Sequence, residues 1–363
     1  MIRNCFIAIF IFTVSGQPGP AQSRDRAADG VCSATIRVGL REDAPPFSFR
    51  INPEARAPDL SATCGYEEEG LLGGYAGYTV GLCRDYLLDL LSRCRGAGPQ
   101  VEAVPVAVDK RHDALAAEAP PFDMLCGATT ATVTLAASVP HSPYTFLTST
   151  SALVNARFAQ AEGTSCRVGV VNGTTSAPGM QDRVLDPRRI ETWQEFIRRN
   201  KSCSLDGLER AVGFDSTAEA ILALRAPGPK GIDVLVGDHH ILAWYWQHLD
   251  KLPRRMELPE AIAARFEALD DSETETTASS LARFKDELRL IPAAISIEPY
   301  AVVAPPGKAA LIADFSRFLT ARQQDRNGEY TRRLRQCFGR QIDRSFWFLM
   351  EFQSKVRDGN PLK

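Results

Sequence analysis

The stretch 123–144, DMLCGATTATVTLAASVPHSPY, constrains this chain more than any other. A short apolar run, Met124 to Cys126, breaks at Gly127 into Ala128-Thr129-Thr130-Ala131-Thr132, small residues that carry hydroxyls and amides. Glycine lets the backbone approach a bound molecule, and hydroxyls and N–H groups hold polar atoms without burying a charge. That is the composition of a ligand shelf at the end of a strand. Residues 133–139 then lead into Ser142-Pro143-Tyr144, where proline returns the chain to extended backbone.

The same grammar recurs on both sides of this stretch. Residues 35–40 alternate as a strand and run into REDAPPFSF, whose paired prolines cannot continue a ladder, so a loop is expected at the strand's C-terminal end. Residues 51–74, rich in Pro, Gly and acids, read as an insertion in a hairpin turn, with Cys64 to staple it down. A helix follows to Arg93, with Leu82, Leu87, Leu90 and Leu91 on one face. Residues 101–108 are a second strand, and Asp109 is placed to cap a short helix carrying Arg111.

The run 148–155 is extended enough to cross between lobes, after which the pattern restarts. Strand 166–171 feeds the turn Asn172-Gly173-Thr174-Thr175-Ser176 and a helix with Pro178 in its first turn; strands at 212–216 and 232–238 each precede a helix. Residues 257–288 read as a charged, solvated and mobile insertion, and 290–305 as an extended return. Helices at 309–319 and 327–338 close the pattern, with Arg332, Arg333 and Arg335 as a solvated face. Strands alternating with helices predict parallel sheets in an α/β fold.

The 363 residues give room for two domains, and 44% apolar with 24% charged residues is ordinary for a globular protein. A net charge of −2 with no basic stripe argues against a nucleic-acid partner. Arg3, an apolar run from Cys5 to Val14 and small residues up to Ala21 have the order of a secretory signal at 1–21, too short to span a bilayer. The alternative is an apolar tail on a cytosolic protein. Of nine cysteines, eight lie beyond this segment, with no zinc-type spacing, which suits disulfides in an oxidising compartment. His240 and His248 have no acidic partner recurring on their helix face, so no metal is expected.

These phrases, in this order, resemble the periplasmic solute-binding proteins for polar amino acids, extracellular solute-binding protein family 3, and most of all the glutamate/aspartate type. The resemblance covers nearly all of the mature chain, apart from insertions near 51–74 and 258–288. It implies a type II periplasmic-binding-protein fold, two lobes with a ligand cleft between them and two crossover strands. Lobe one would comprise 35–153 and 299–345, lobe two 156–297, and 346–363 a tail. The resemblance also implies disulfides Cys83–Cys126 and Cys166–Cys203.

The pocket it implies is specific. Arg41 would meet a ligand carboxylate and Arg111 would be a second pocket arginine; Thr129 and Thr130 would supply hydroxyls and amides. Thr174, Thr175 and Ser176 would form an anion-holding turn at a helix N-terminus, and Asp238 would accept the ligand's ammonium group. Each residue has a plainer alternative: Arg41 a surface side chain beside Glu42 and Asp43, Arg111 a solvated helix start, the 172–176 turn and Asp238 helix caps. Two departures stand out. Leu135 occupies the position of the arginine that grips the ligand's α-carboxylate, and leucine cannot replace a planar guanidinium. Ser216 stands where the glutamate/aspartate type has a histidine.

The function implied is capture of a small polar solute, an amino acid or related charged metabolite, by hinge closure, and its delivery to an ABC transporter permease. The protein is expected to be exported to the periplasm or secreted, monomeric, not membrane-spanning, and neither an enzyme nor dependent on a cofactor. With Leu135 in place, either Arg111 or the 173–176 turn takes the carboxylate, or the ligand is not an α-amino acid. A cyclohexadienyl dehydratase-like enzyme on the same fold is the competing reading; it needs a proton donor near the cleft, where Glu42, Asp43 and Asp238 are the acids at hand. A sensory ligand-binding protein is the third.

Overall fold

Residues 35–54, 70–94, 98–155, 167–177, 211–225, 231–270, 280–291, 298–325 and 328–339, with Cys32 and Cys64, are described by a computed structural model. The first strand, β1 (Ile36–Leu40), is followed by β2 (Asp43–Ala44) and β3 (Ser48–Arg50), which pair antiparallel across the cis Pro45-Pro46 peptide. The paired prolines therefore occupy a hairpin turn rather than a plain loop. β4 (Tyr75–Ala76) adds to β3, so the 51–74 segment is an insertion within a small antiparallel sheet. Helix α1 (Tyr78–Arg93) buries Leu82, Leu87 and Leu90, the face that its periodicity predicts.

Beyond it come β5 (Val101–Pro105), α2 (Arg111–Ala116), β6 (Met124–Leu125) and α3 (Val133–Ser138). The parallel order β5-β1-β6 puts β1 at the centre, where Val38 and Leu40 have no exposed surface. The expected Asp109 cap is not made: Lys110 holds the N-cap position of α2 without a side-chain bond, and Asp109 pairs with Lys110 Nζ at 3.2 Å.

The chain leaves this lobe through β7 (Phe146–Thr148) and enters the second sheet at β8 (Thr150–Asn155). There β9 (Val168–Val171), β10 (Val212–Phe214) with helix α4 (Thr217–Ala223), and β11 (Val234–Asp238) with helix α5 (His239–Gln247) restart the pattern. Short helix α6 (Leu252–Arg255), helices α7 (Glu260–Asp270) and α8 (Ser280–Glu287) and strand β12 (Leu288–Leu290) follow. The sheet order is β10-β9-β11-β8-β12, with β9, β10 and β11 parallel and β8 antiparallel to both of its neighbours. Strand β13 (Glu298–Tyr300) returns antiparallel to β7, and α9 (Ala309–Gln324) and α10 (Glu329–Phe338) pack back on α1. Rings of Phe47, Phe146, Tyr300 and Phe338 cluster around this double crossover, with Phe146 stacked on Phe338 at 4.5 Å between centroids.

Three disulfides brace the described residues: Cys83–Cys126, as expected, with Cys32–Cys94 and Cys64–Cys337. The last closes a loop of 273 residues and ties the hairpin insertion to α10, the stapling role expected of Cys64. The expected Cys166–Cys203 pair, the 1–21 segment, the helix with Pro178 and the 346–363 tail lie outside the described residues. Among the described residues, no helix is long and apolar enough to cross a membrane.

Two further sequence expectations are corrected. Arg333 is not on a solvated face; it lies buried across Gly81 and pairs with Asp85 at 2.6 Å, in a gap that a Cβ at position 81 would fill. The described parts of 257–288, which include α7 and α8, are not a solvated segment either; 271–279 lie outside the described residues. Phe266, Leu281 and Phe284 are buried, and Trp246 Nε1 donates to the Lys285 carbonyl at 3.2 Å. The charged residues that dominate its composition cover the outside of a packed helical pair. Phe266→Ala should therefore destabilise the protein by about 3–5 kcal/mol, the cost of a large cavity. Urea denaturation measures it; a loss below about 0.5 kcal/mol would return the segment to the surface.

Candidate functional site

The C-terminal ends of strands from both sheets meet β13 around one small cavity of about 30 Å³, room for about one or two waters. Seven of the eight candidate residues line it: Arg41, Arg111, Thr130, Thr174, Thr175, Ser176 and Asp238. Thr129 does not. Its side chain is fully buried with Oγ1 unpartnered, and its carbonyl accepts from Ala301 N–H at 3.1 Å. The Ala131 amide is likewise committed, to Pro299 O at 2.8 Å, so part of the expected shelf of amides is spent on holding the crossover strand.

Arg41 leaves the end of β1 and is buried rather than at the surface. Its Nε and Nη2 donate to Asp43 Oδ1 at 3.1 and 2.8 Å, and Nη1 to the Ala128 carbonyl at 3.4 Å. Arg111, the first residue of α2, is equally buried, against the solvated alternative. Its Nη1 donates to Ala128 O at 3.2 Å, Nη2 to Gly173 O at 3.1 Å and Nε to His112 Nε2 at 3.3 Å. No carboxylate among the described residues lies within ion-pair distance of it. Burial lowers its pKa to about 10, with Arg41 adding to the effect, so it stays cationic at neutral pH.

The Arg111–Gly173 bond joins the two lobes, and Gly173 permits it. With φ at +72°, a Cβ there would stand 2.4 Å from Asp109 Cα and 2.7 Å from Val108 O. Beside it, Thr174 Oγ1 donates to Val171 O at 2.7 Å, which shapes the turn. Thr175 Oγ1 reaches across to Glu298 Oε2 at 2.6 Å.

Glu298 is the cavity residue that sequence reasoning missed. It is buried on β13 and also accepts from Thr130 Oγ1 at 3.1 Å and from Thr150 Oγ1. Two residues along, on the same face, the Tyr300 hydroxyl donates to Asp238 Oδ2. One carboxylate inside an otherwise apolar crossover run, EPYAVVAP, was the available signal.

Asp238 makes the helix cap and also lines the cavity. Its Oδ1 caps α5, accepting from His240 N–H at 2.9 Å and Ile241 N–H at 3.1 Å, while the side chain lines the cavity. The Thr148 hydroxyl donates to the same oxygen at 2.9 Å and stands 2.8 Å from His240 Nδ1. Burial pushes the Asp238 pKa up to about 7, helped by Glu298 and opposed by the Tyr300 bond. Burial also drives His240 down to about 3, so that imidazole is neutral. His240 thus serves the hydrogen-bond network beneath the cavity.

The two departures have structural roles. Leu135 is buried in an apolar cluster with Val106, Leu115, Phe122, Leu125 and Val303 and does not line the cavity. Position 135 is thus a packing position rather than a wall of the cavity. Ser216 caps α4, accepting from Glu219 N–H at 3.2 Å.

No protein-family model matches the sequence, and no curated protein is detectably similar to it. Solved structures are similar in fold. A substrate-binding protein of an ABC uptake transporter from Streptococcus pneumoniae, with bound histidine, covers 88% of this chain and 98% of its own at 14% identity and TM-score 0.55. An ancestral amino-acid-binding protein, a precursor of cyclohexadienyl dehydratase, covers 87% and 99% at 18% identity and TM-score 0.51. A cysteine-binding protein from Campylobacter jejuni covers 87% and 92% at 15% identity and TM-score 0.50. The chain has the two-lobed α/β fold of the periplasmic binding proteins.

Asp238 also gives a pH prediction. Folded, it keeps its proton up to about pH 7; unfolded, it loses it near pH 4, so the native state binds more protons in between. Its contribution to stability is therefore present at acid pH and falls as pH rises from about 4 to about 7. Asp238→Asn should remove that part of the slope in urea unfolding free energy, and parallel profiles for the two proteins would refute the assignment.

Proposed function

We propose that this protein is an exported solute-binding protein that captures a small polar solute, an amino acid or related charged metabolite, between its lobes and delivers it to an ABC transporter. The observation that carries the reading is the convergence on one small cavity of donors and acceptors from both lobes and from the crossover. Among the described residues Arg111 has no acidic partner, and it is the cation available to a solute anion. Asp238 and Glu298 are the acceptors for a solute cation. The similar solved structures, two of which carry amino-acid ligands in their names, support the solute class. In this reading lobe one ends near residue 148, resumes at 298, and lobe two lies between.

Capture requires opening. A cavity of about 30 Å³ is far below the ~300–1,000 Å³ of ligand sites, so entry needs rotation about β7 and β13. Closure then returns Gly173 to Asp109 and Thr175 to Glu298. The carboxylate clamp that Leu135 lacks is assigned to Arg111.

A second reading has one observation in its favour. A dehydratase needs a proton donor at the cleft, and Asp238, with its pKa pushed up to about 7 beside Tyr300, meets that need. Proton NMR on mixtures with small cyclic carboxylates separates the two: turnover supports the enzyme, and unchanged spectra with binding support the carrier.

A thermal-shift screen over amino acids, amines and small carboxylates is the direct test, since a ligand that binds only the folded state raises Tm. For the solute so found, Arg111→Met should weaken binding by about 2–5 kcal/mol, the cost of leaving a buried charge unpaired. Calorimetry that finds the affinity unchanged would remove Arg111 from the site.

A further inference from the structure

The hydrogen bonds around the small cavity narrow the charge that its solute can carry. A carboxylate offers about four lone-pair positions. On Asp238 all are taken: Oδ1 accepts from the His240 and Ile241 amides and the Thr148 hydroxyl, and Oδ2 from the Tyr300 hydroxyl. Glu298 accepts from three threonines, Thr130 and Thr175 on Oε2 and Thr150 on Oε1. These are the acceptors that a solute cation needs, and in the closed cleft the protein's own donors hold them. An ammonium group brings three more donors and a charge, and to be satisfied it must displace a buried partner.

The cationic side is the reverse. A guanidinium has five N–H groups. Arg111 uses three, all on neutral acceptors: the Ala128 and Gly173 carbonyls and His112 Nε2. Arg41 is also bonded through three, and two of them go to Asp43 Oδ1, which answers its charge. Both side chains line the cavity. Among the described residues, the pair therefore has N–H groups left for an anion, and the charge of Arg111 has no carboxylate to meet it. Val171, Val236, Ile241 and Leu242 give the same cavity an apolar wall.

Granted the carrier proposed above, on which this inference rests, we propose that its solute is a small monocarboxylate with no ammonium group, the carboxylate on Arg111 and a short carbon chain against the apolar wall. One guanidinium without an acidic partner matches one negative charge, and a cavity of about 30 Å³ keeps the chain short. Asp238 favours the same class. Burial pushes its pKa up to about 7, so below that pH it carries no charge to hold an ammonium group.

L-Lactate, propionate and L-alanine share one carbon skeleton and differ at the α-carbon, which carries a hydroxyl, a hydrogen or an ammonium group. Calorimetry of each against the full chain at neutral pH tests the proposal, with propylamine as the cation that lacks a carboxylate. Lactate or propionate should bind one per chain, alanine at least roughly tenfold more weakly, the scale of one displaced buried hydrogen bond, and propylamine not at all. Arg111→Met should weaken the bound acid roughly ten- to hundredfold, the scale of a charge-assisted bond. The ligand comparison uses the unmodified chain, so it stands even if that variant does not fold. Alanine or propylamine binding as tightly as the better of the two acids would overturn the proposal and leave the carrier standing. Failure of both acids to bind would overturn it too; the carrier itself falls only if the wider screen of amino acids, amines and carboxylates also finds no ligand.

Discussion

Glu298 is the constraint on which the rest of the cleft depends. An ionised carboxylate accepts hydrogen bonds only, and burying one without partners is costly. Here threonine hydroxyls come from three places in the chain: Thr130 after β6, Thr150 at the start of the second sheet and Thr175 in the second-lobe turn. The partners can be complete only when the lobes are together. Period-two geometry then sets Tyr300 on the same face, where it holds Asp238 and through it the start of α5. One three-residue strand thus sets the positions of residues in both lobes.

The positive side of the cleft is arranged differently. Arg41 and Arg111 both donate to the Ala128 carbonyl, so two guanidiniums lie close together out of water. Asp43 neutralises the first. The second has carbonyls and one imidazole nitrogen for acceptors, and neutral acceptors compensate a buried charge less well than a carboxylate does. Closure therefore carries an electrostatic cost on this side. A carboxylate that reached Arg111 would offset it, which in the proposed carrier would link ligand binding to closure.

Much of this was legible in the sequence because strand ends announce themselves. Gly127 after an apolar run, the Gly173-to-Ser176 turn and an acid ending residues 234–238 mark loops that an α/β sheet must bring to one edge. What the sequence concealed was side-chain direction. Thr129 and Thr130 are indistinguishable as letters, yet one faces the interior and the other the cavity. Glu298 read as part of a crossover because its partners lie 123 to 168 residues away. Composition misled at 257–288, where charged residues outnumber the few aromatics that anchor the helices, Phe266 and Phe284 among them.

Leu135, where the resemblance implies an arginine, is a packing position in this chain. Thr132 still caps α3, accepting from the Leu135 amide at 3.1 Å, so the helix begins where the motif requires. The side chain then fills an apolar cluster between β6 and α2. A guanidinium in that cluster would have no acceptor in the five apolar residues around it, and this packing is compatible with leucine and hostile to arginine. The positive charge of the cleft instead comes from α2, whose first residue, Arg111, reaches the carbonyl of Ala128, in the same loop that leads to Leu135. The loop after β6 thus leads into a packed helix, while the charge is supplied from α2, which follows β5 on the far side of β1. In the carrier proposed above, a carboxylate held by Arg111 would sit at the start of α2 rather than at position 135, so the proposed solute need not be an α-amino acid.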